Sequence, residues 1–322
     1  MSDNWTIING TLQAGEKAQF MADFNSTGIK MPINLINGTS PGKTVLVTSA
    51  VHADEYPGIA ASIRVAKEID PSKVCGSIVF CHAVNLSGFW ARTRTVSCGA
   101  NLNANFPGKP DGTEGERIAD FFVRTVFPQV DFILDLHSGG MMTPLTPCLF
   151  YPWTAIDQVR EASLAAARAT NIPYLVGSRA TAGLYSYAAT QMDIPSIMLE
   201  RGHTGLNLEC WISLYEKDIR LVLRHLGSYP FDNAGTICNK TNFEKIAYPA
   251  ADTTGLWYPA VTENMHIKEG DLLGHMEDFW GNRTAEYHAE GDGVVLYYDS
   301  SLSVTAGETL VTYGLNAFAK SL

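Results

Sequence analysis

The chain has 322 residues, 46% of them hydrophobic and 17% charged, which supplies a sizeable core and excludes a disordered protein. Lys and Arg number 23 against 33 Asp and Glu, a net charge of −10. That balance repels phosphate backbones and anionic headgroups, so neither nucleic acid nor a membrane surface is an expected partner. No apolar run reaches the roughly 18 residues of a membrane span. The opening Met1-Ser2-Asp3-Asn4-Trp5 has no basic segment leading into an apolar one, so no secretory leader is expected. The six cysteines form no C-x-x-C pair and read as free thiols of a cytoplasmic protein.

Residues 1–40 alternate polar and apolar around turn residues, as in Thr6-Ile7-Ile8-Asn9-Gly10, and predict short antiparallel strands. Thr44–Thr48 is a β-branched run suited to a buried strand. Gly58–Ile69 carries Ile59, Ile63, Val65 and Ala66 at helical spacing. A second strand follows at Gly76–Ala83. A helix is expected over Thr113–Phe127, and a third strand at Phe132–Leu136. Another helix covers Ala155–Thr170, a fourth strand Ser196–Leu199, and a last long helix Leu206–Leu226. Strands alternating with helices predict βαβ units. The expected fold is therefore α/β, a mostly parallel or mixed sheet flanked by helices. After Tyr229 the helical period stops, and residues 234–322 show short runs broken by glycine, such as Gly270-Asp271-Leu272-Leu273-Gly274. This pattern predicts a C-terminal all-β domain, a small barrel or half-barrel. The boundary falls near Asp232–Thr236, giving domains 1–233 and 234–322.

Ligands of α/β sheets gather beyond the carboxyl ends of the strands. The first strand is followed by Val51-His52-Ala53-Asp54-Glu55, the third ends Asp135-Leu136-His137-Ser138, and the fourth ends Glu200-Arg201-Gly202-His203. His52, Glu55 and His137 make a two-His, one-carboxylate set, which zinc favours where its fourth position serves catalysis. A lone H-x-x-E arises by chance, and a histidine ending a strand is commonly a surface group. Three strand ends of this kind together favour a metal centre.

These segments, with Asn101-Leu102-Asn103-Ala104-Asn105-Phe106-Pro107-Gly108, resemble the zinc carboxypeptidase-like superfamily in its succinylglutamate desuccinylase/aspartoacylase branch. The likeness covers nearly the whole chain, since that branch also carries a C-terminal β-domain. It implies His52, Glu55 and His137 as ligands of one Zn²⁺ per chain and Glu200 as general base. It implies Arg94 as the arginine that polarises the scissile carbonyl, and Asn103 as a substrate-binding asparagine. Physical chemistry suits these roles: a carboxylate in reach of water can carry its proton to a leaving amine, and a guanidinium suits an oxyanion. The competing readings are a salt bridge between Glu200 and Arg201, and a solvated basic loop at Arg92 and Arg94.

One departure stands out. The branch's D-L-N-R reads Asn101-Leu102-Asn103-Ala104, so the arginine that clamps a substrate carboxylate is alanine. Either the substrate lacks that carboxylate, or another arginine (Arg92, Arg117 or Arg179) replaces the clamp, or activity is lost while the metal stays. Arg92 and His203 are further candidates for touching substrate, His82 reads as a core or edge histidine, and Asp135 as a carboxylate able to orient His137. Tyr185 and Tyr187 suit either a loop over the site or packing. Met265–Val294 resembles a biotinyl/lipoyl half-barrel, but no lysine lies between Lys268 and Lys320 to act as a swinging arm. The expected function is a zinc-dependent hydrolase cleaving the amide of a small N-acyl amino acid or related compound. The alternatives are a metallocarboxypeptidase or amidase on a short peptide, or a non-catalytic zinc- or ligand-binding relative. The expected partner is a small-molecule substrate, and a homo-oligomer is compatible with the chain.

Overall fold

The computed structural model describes residues 5–6, 11–23, 28–232 and 237–321. Ile7–Gly10 and most of the expected boundary, residues 233–236, lie outside the described residues. The first strands, β1 (Trp5–Thr6) and β2 (Thr11–Leu12), pair antiparallel. Then come β3 (Lys17–Asp23), β4 (Lys30–Asn37), β5 (Ser40–Ser49), α1 (Pro57–Glu68), β6 (Cys75–Cys81), α2 (Leu86–Ala91) and α3 (Glu114–Phe121). The chain continues through β7 (Phe132–His137), β8 (Cys148–Pro152), α4 (Asp157–Ala169), β9 (Tyr174–Ser178), α5 (Leu184–Gln191), β10 (Ser196–Glu200) and α6 (Glu209–His225). With β11 (Thr241–Phe243) and the last strand, Ala319–Ser321, these build one mixed sheet of ten strands. Its centre is parallel, β6-β5-β7-β10, and β8 runs antiparallel to β10.

The central strands are buried on both faces, as parallel strands require. Val45, Val47, Leu134, Leu136, Ile197 and Leu199 pack with α1, α4 and α6, while Leu46 and Ile133 pack with α3 and α5 on the other face. The remaining strands are β12 (Ile246–Ala247), β13 (Gly255–Pro259), β14 (His266–Ile267), β15 (Leu272–Glu277), β16 (Arg283–His288), β17 (Gly293–Tyr298), β18 (Ser303–Val304) and β19 (Val311–Leu315). They form two four-stranded antiparallel sheets around Trp257, Val295 and Tyr313. β17 lies against the large sheet: Thr146 donates its N–H to Leu296 O (2.7 Å) and its hydroxyl to Val295 O (2.8 Å).

Several boundaries differ from the sequence reading. The expected helix to Phe127 is α-helical only to Phe121; a π turn (Phe122–Val126) and a 3₁₀ turn (Phe127–Gln129) follow, where Pro128 cannot donate to a helical ladder. The last long helix begins at Glu209 rather than Leu206, because Gly202, Thr204 and Gly205 hold positive φ angles that break the helical path. α2, β8, β9 and α5 were not foreseen; they are too short for their period to stand out from loops. Thr241–Phe243 and Ala319–Ser321 flank the C-terminal sheets in sequence, yet they join the large sheet.

A buried ion pair ties α6 to the end of β10. Arg201 reaches Asp218 from Nε (2.9 Å) and from its terminal nitrogen (2.8 Å), and Asp218 also accepts the Asn171 N–H at 2.7 Å. Removing one partner strands a buried charge. Asp218→Ala is expected to cost about 3–5 kcal/mol, read by urea denaturation. A cost under about 1 kcal/mol would show that the pair is not a structural anchor.

His82 follows β6, is 6% exposed, and bonds Ser62 through Nδ1 at 2.8 Å. Burial pushes its imidazole down from 6.5 to about 4. As pH falls from 6.5 to about 4, the unfolded chain gains this proton and the folded chain does not, so stability drops over that window. The expected loss is about 3 kcal/mol, and denaturation of wild type beside His82→Gln across that window should show a smaller loss in the variant.

Candidate metal centre

The residues that meet at the site come from strand ends. In β7, alternation turns Leu134 and Leu136 toward α1 and α6, which leaves Asp135 and His137 on the opposite face. β10 lies parallel beside it with Glu200 opposite His137, and its side chain shares that face. After β5 the chain turns at Ala50, whose φ is +54°, and Pro57 opens α1. The short loop between them carries His52, Asp54 and Glu55, all buried.

Three donors converge. His52 Nδ1 lies 3.0 Å from Glu55 Oε1, His137 Nδ1 lies 2.9 Å from Glu55 Oε2, and the two Nδ1 atoms are 3.1 Å apart. The rings stand edge to face at 75°. An ion bound at about 2.0–2.1 Å separates tetrahedral donors by about 3.4 Å, so this set would close on a metal with shifts of a few tenths of an ångström. His52, Glu55 and His137 could therefore hold a metal ion.

Both rings are oriented from behind. His137 Nε2 faces Asp135 Oδ2 at 3.1 Å, and Asp135 accepts the Thr48 hydroxyl at 2.6 Å. His52 Nε2 faces Asn101 Oδ1 at 3.1 Å. With each Nε2 engaged, each Nδ1 is left for the metal. Glu55 also accepts the Ser138 N–H (3.0 Å) and a guanidinium N–H of Arg94 (2.7 Å). Burial alone would raise the Glu55 carboxyl, but His52, His137 and Arg94 hold it well below the usual range. Burial likewise opposes the charge on His137, and the carboxylates of Asp135 and Glu55 outweigh it and raise its pKa. For His52 burial wins and its pKa falls.

Glu200 is the unmatched group. Its Oε2 is buried and has no hydrogen-bond partner among the described residues. Burial, reinforced by the Glu55 charge, pushes its carboxyl up to about 8, while His137 and Arg94 pull the other way. The alternative salt bridge with Arg201 does not form, because alternation turns Arg201 to the opposite face, where Asp218 takes it.

The other sequence candidates fall differently. Arg94 is at the centre, its side chain 43% exposed and touching both Glu55 and His52. Arg92 caps α2 in a left-handed conformation and lines a shallow apolar cleft with Tyr56, Phe89 and Trp90. Asn103 Oδ1 accepts the Leu184 N–H at 3.0 Å and so pins its segment to α5. His203 packs on Trp211 with ring centroids 4.7 Å apart. Arg179 lies over Trp153, and Arg117 sits on α3 with Nε buried and without a hydrogen-bond partner among the described residues. Ala104 is exposed. Tyr185 and Tyr187 belong to α5; Tyr185 is buried beside Phe243 and Tyr187 packs near Phe106.

Sequence reasoning missed Asn101, Asp54 and Tyr215. The Tyr215 hydroxyl, from α6, donates to the carbonyls of His137 and Leu199 and clamps the two strand ends together. Asp54 accepts the Met141 N–H at 3.0 Å, and a Cβ at neighbouring Gly139 would stand 1.9 Å from the Thr143 carbonyl, so the loop turns there at a glycine. Asn101 and Asp54 lie inside quoted segments; Tyr215, on a distant helix, carried no signal.

The family model of the succinylglutamate desuccinylase/aspartoacylase catalytic domain matches residues 41–226, more than half of the chain. The chain belongs to this family. A curated relative, the N-alpha-acetyl-L-2,4-diaminobutyric acid deacetylase of Halomonas elongata, is 27% identical over 88% of this chain and 84% of its own. The product-bound structure of the ectoine utilization protein EutE (DoeB) from Ruegeria pomeroyi superposes with a TM-score of 0.82 at 27% identity, covering 92% of this chain and 93% of that one. A succinylglutamate desuccinylase from Silicibacter sp. TM1040 gives a TM-score of 0.82 at 25% identity, over 98% and 99% of the two chains. No helix among the described residues is long and apolar enough to cross a membrane.

Asp135→Asn should weaken metal binding about 10–100-fold, because the amide supports His137 less well. Competition against a chromophoric chelator measures this. Unchanged affinity would mean that Asp135 does not orient a ligand.

Proposed function

We propose that this chain is a zinc-dependent deacylase of small N-acyl amino acids. The observation that carries the reading is Glu200, whose Oε2 is buried with no hydrogen-bond partner among the described residues, on the face it shares with His137. Two histidines and a carboxylate with a free fourth position suit zinc. When bound, zinc lowers the pKa of water and polarises a carbonyl.

The chain's own groups supply the rest. Glu200 takes a proton as water oxygen bonds to the acyl carbon. It then gives that proton to the departing nitrogen as the carbon–nitrogen bond breaks, yielding a carboxylic acid and an amine. A carboxyl held near neutrality by burial is suited to both halves of that transfer. Arg94, partly exposed beside Glu55, offers its guanidinium to the developing oxyanion. Asn103, Arg92 and His203 are the proposed substrate contacts. The relatives' names supply the substrate class: one removes acetyl from a diamino acid. Free thiols at all six cysteines suit a cytoplasmic enzyme.

Turnover of a panel of N-acetyl and N-succinyl amino acids tests the reading, beginning with N-α-acetyl-2,4-diaminobutyrate. Chelation should abolish activity and zinc should restore it. Glu200→Gln should lower kcat about 10²–10⁴-fold while the protein still takes up about one zinc per chain. Full activity in Glu200→Gln, or in the chelated protein, would sink the mechanism.

A further inference from the structure

Arg94 and a metal ion compete for the same carboxylate. Arg94 Nη1 donates to Glu55 Oε1 at 2.7 Å, and its Nη2 lies 3.4 Å from His52 Nε2. Oε1 is also the Glu55 oxygen that lies 3.0 Å from His52 Nδ1. A cation held by the three donors therefore meets Glu55 on the edge where the guanidinium sits. Two cations on one carboxylate repel each other, the more so away from water.

A second acceptor stands within reach. Asp54 is 2% exposed, and its Oδ2 accepts the Met141 N–H at 3.0 Å. Its Oδ1 is buried, has no hydrogen-bond partner among the described residues, and lies 3.9 Å from Arg94 Nη1. That separation makes an ion pair and is too long for a hydrogen bond. A buried carboxylate oxygen without a donor is costly, and a guanidinium about 1 Å closer would satisfy it.

The surroundings leave the side chain of Arg94 free to make that move and hold its backbone still. The Arg94 carbonyl accepts the Ala53 N–H at 3.3 Å and the Asn85 side-chain amide at 3.5 Å. The side chain is 43% exposed. A Cβ at Gly140 would stand 2.6 Å from Asp54 Oδ2 and 2.9 Å from Arg94 Nη1, so Gly140 packs against both groups.

We propose that Asp54 is a positioning residue that takes Arg94 from Glu55 when the metal binds. The guanidinium leaves Glu55 Oε1, pairs with Asp54 Oδ1, and turns its remaining N–H groups toward the developing oxyanion. Metal loading and the oxyanion donor are thereby assembled together. Asp54 acts here on the metal centre of the deacylase reading, on which this proposal rests, and has no role in that reading itself.

Competition for zinc against a chromophoric chelator tests the proposal on wild type, Asp54→Asn, Arg94→Gln and the double variant. Asparagine keeps an oxygen for the Met141 N–H and loses the charge that draws Arg94. Arg94→Gln should bind zinc at least about threefold more tightly than wild type, because a competing cation is gone. Asp54→Asn should bind at least about tenfold more weakly, because Arg94 stays on Glu55. In the Arg94→Gln background the same substitution should cost less than about threefold, since the two residues act through each other. An equal loss in both backgrounds would mean that Asp54 acts on the metal directly or through the Met141 loop, and would overturn the proposal. So would unchanged affinity in Asp54→Asn, or an Arg94→Gln protein that binds zinc no more tightly than wild type. If Asp54→Asn does not fold, Arg94→Gln still decides by its own affinity. No zinc uptake by wild type would overturn this proposal and the deacylase reading together. Every other failure leaves the deacylase reading, which stands on turnover.

Discussion

A carboxylate removed from water must find compensating charge, and the architecture around Glu55 is organised by that requirement. Glu55 is 2% exposed, and an isolated ion there would be prohibitive. Two imidazole nitrogens, a backbone N–H at Ser138 and the Arg94 guanidinium meet its two oxygens. Those four partners arrive from different segments: the loop after β5, the end of β7, the turn beyond it, and the stretch after α2. Each segment is therefore tied to the others through one side chain. Asp135 and Asn101 extend the same logic outward, meeting the far nitrogens of the rings, and Thr48 in turn donates its hydroxyl to Asp135.

The second organising feature is the period of a strand. Glu200 and Arg201 are adjacent in sequence and opposite in charge, which makes a local pair the simplest guess. Alternation separates them. Glu200 lies on the face of the candidate metal site, its Oε2 without a hydrogen-bond partner among the described residues, and Arg201 faces α6, where Asp218 neutralises it. The same alternation places Asp135 behind His137 and keeps Leu134 and Leu136 in the core. Tyr215 then fixes the spacing of the two strand ends by bonding a carbonyl of each. The candidate metal-binding face and the structural ion pair are thus products of one register.

Much of the site was legible because its chemistry is local. H-x-x-E puts His52 and Glu55 within one turn of chain, and Asp135 and His137 need only a strand between them. The substrate side was less legible. Arg92, Arg117 and Arg179 were equal candidates for replacing the clamp absent at Ala104, since an arginine's reach says nothing about its direction. Arg179 lies over Trp153, Arg92 lines an apolar cleft, and Arg117 sits on α3. Asn101 stands in the quoted motif with no role assigned to it; its contact with His52 Nε2 joins residues 49 apart and has no periodic signature.

The sequence by itself determined the α/β character, the central strands, the family and the two-His, one-carboxylate set. The first two follow from hydrophobic period, the family from its resemblance in four short motifs, and the donor set from residue types at strand ends; that His137 closes on His52, 85 positions away, needed the folded sheet. Tertiary structure alone decided that Glu200 Oε2 has no partner among the described residues, that Arg201 belongs to Asp218, and that Thr241–Phe243 and Ala319–Ser321 join the large sheet. It alone placed Tyr215 across two strands. Such relations depend on which face a side chain takes and which distant strand lies beside it, and those are set by packing the whole sheet at once.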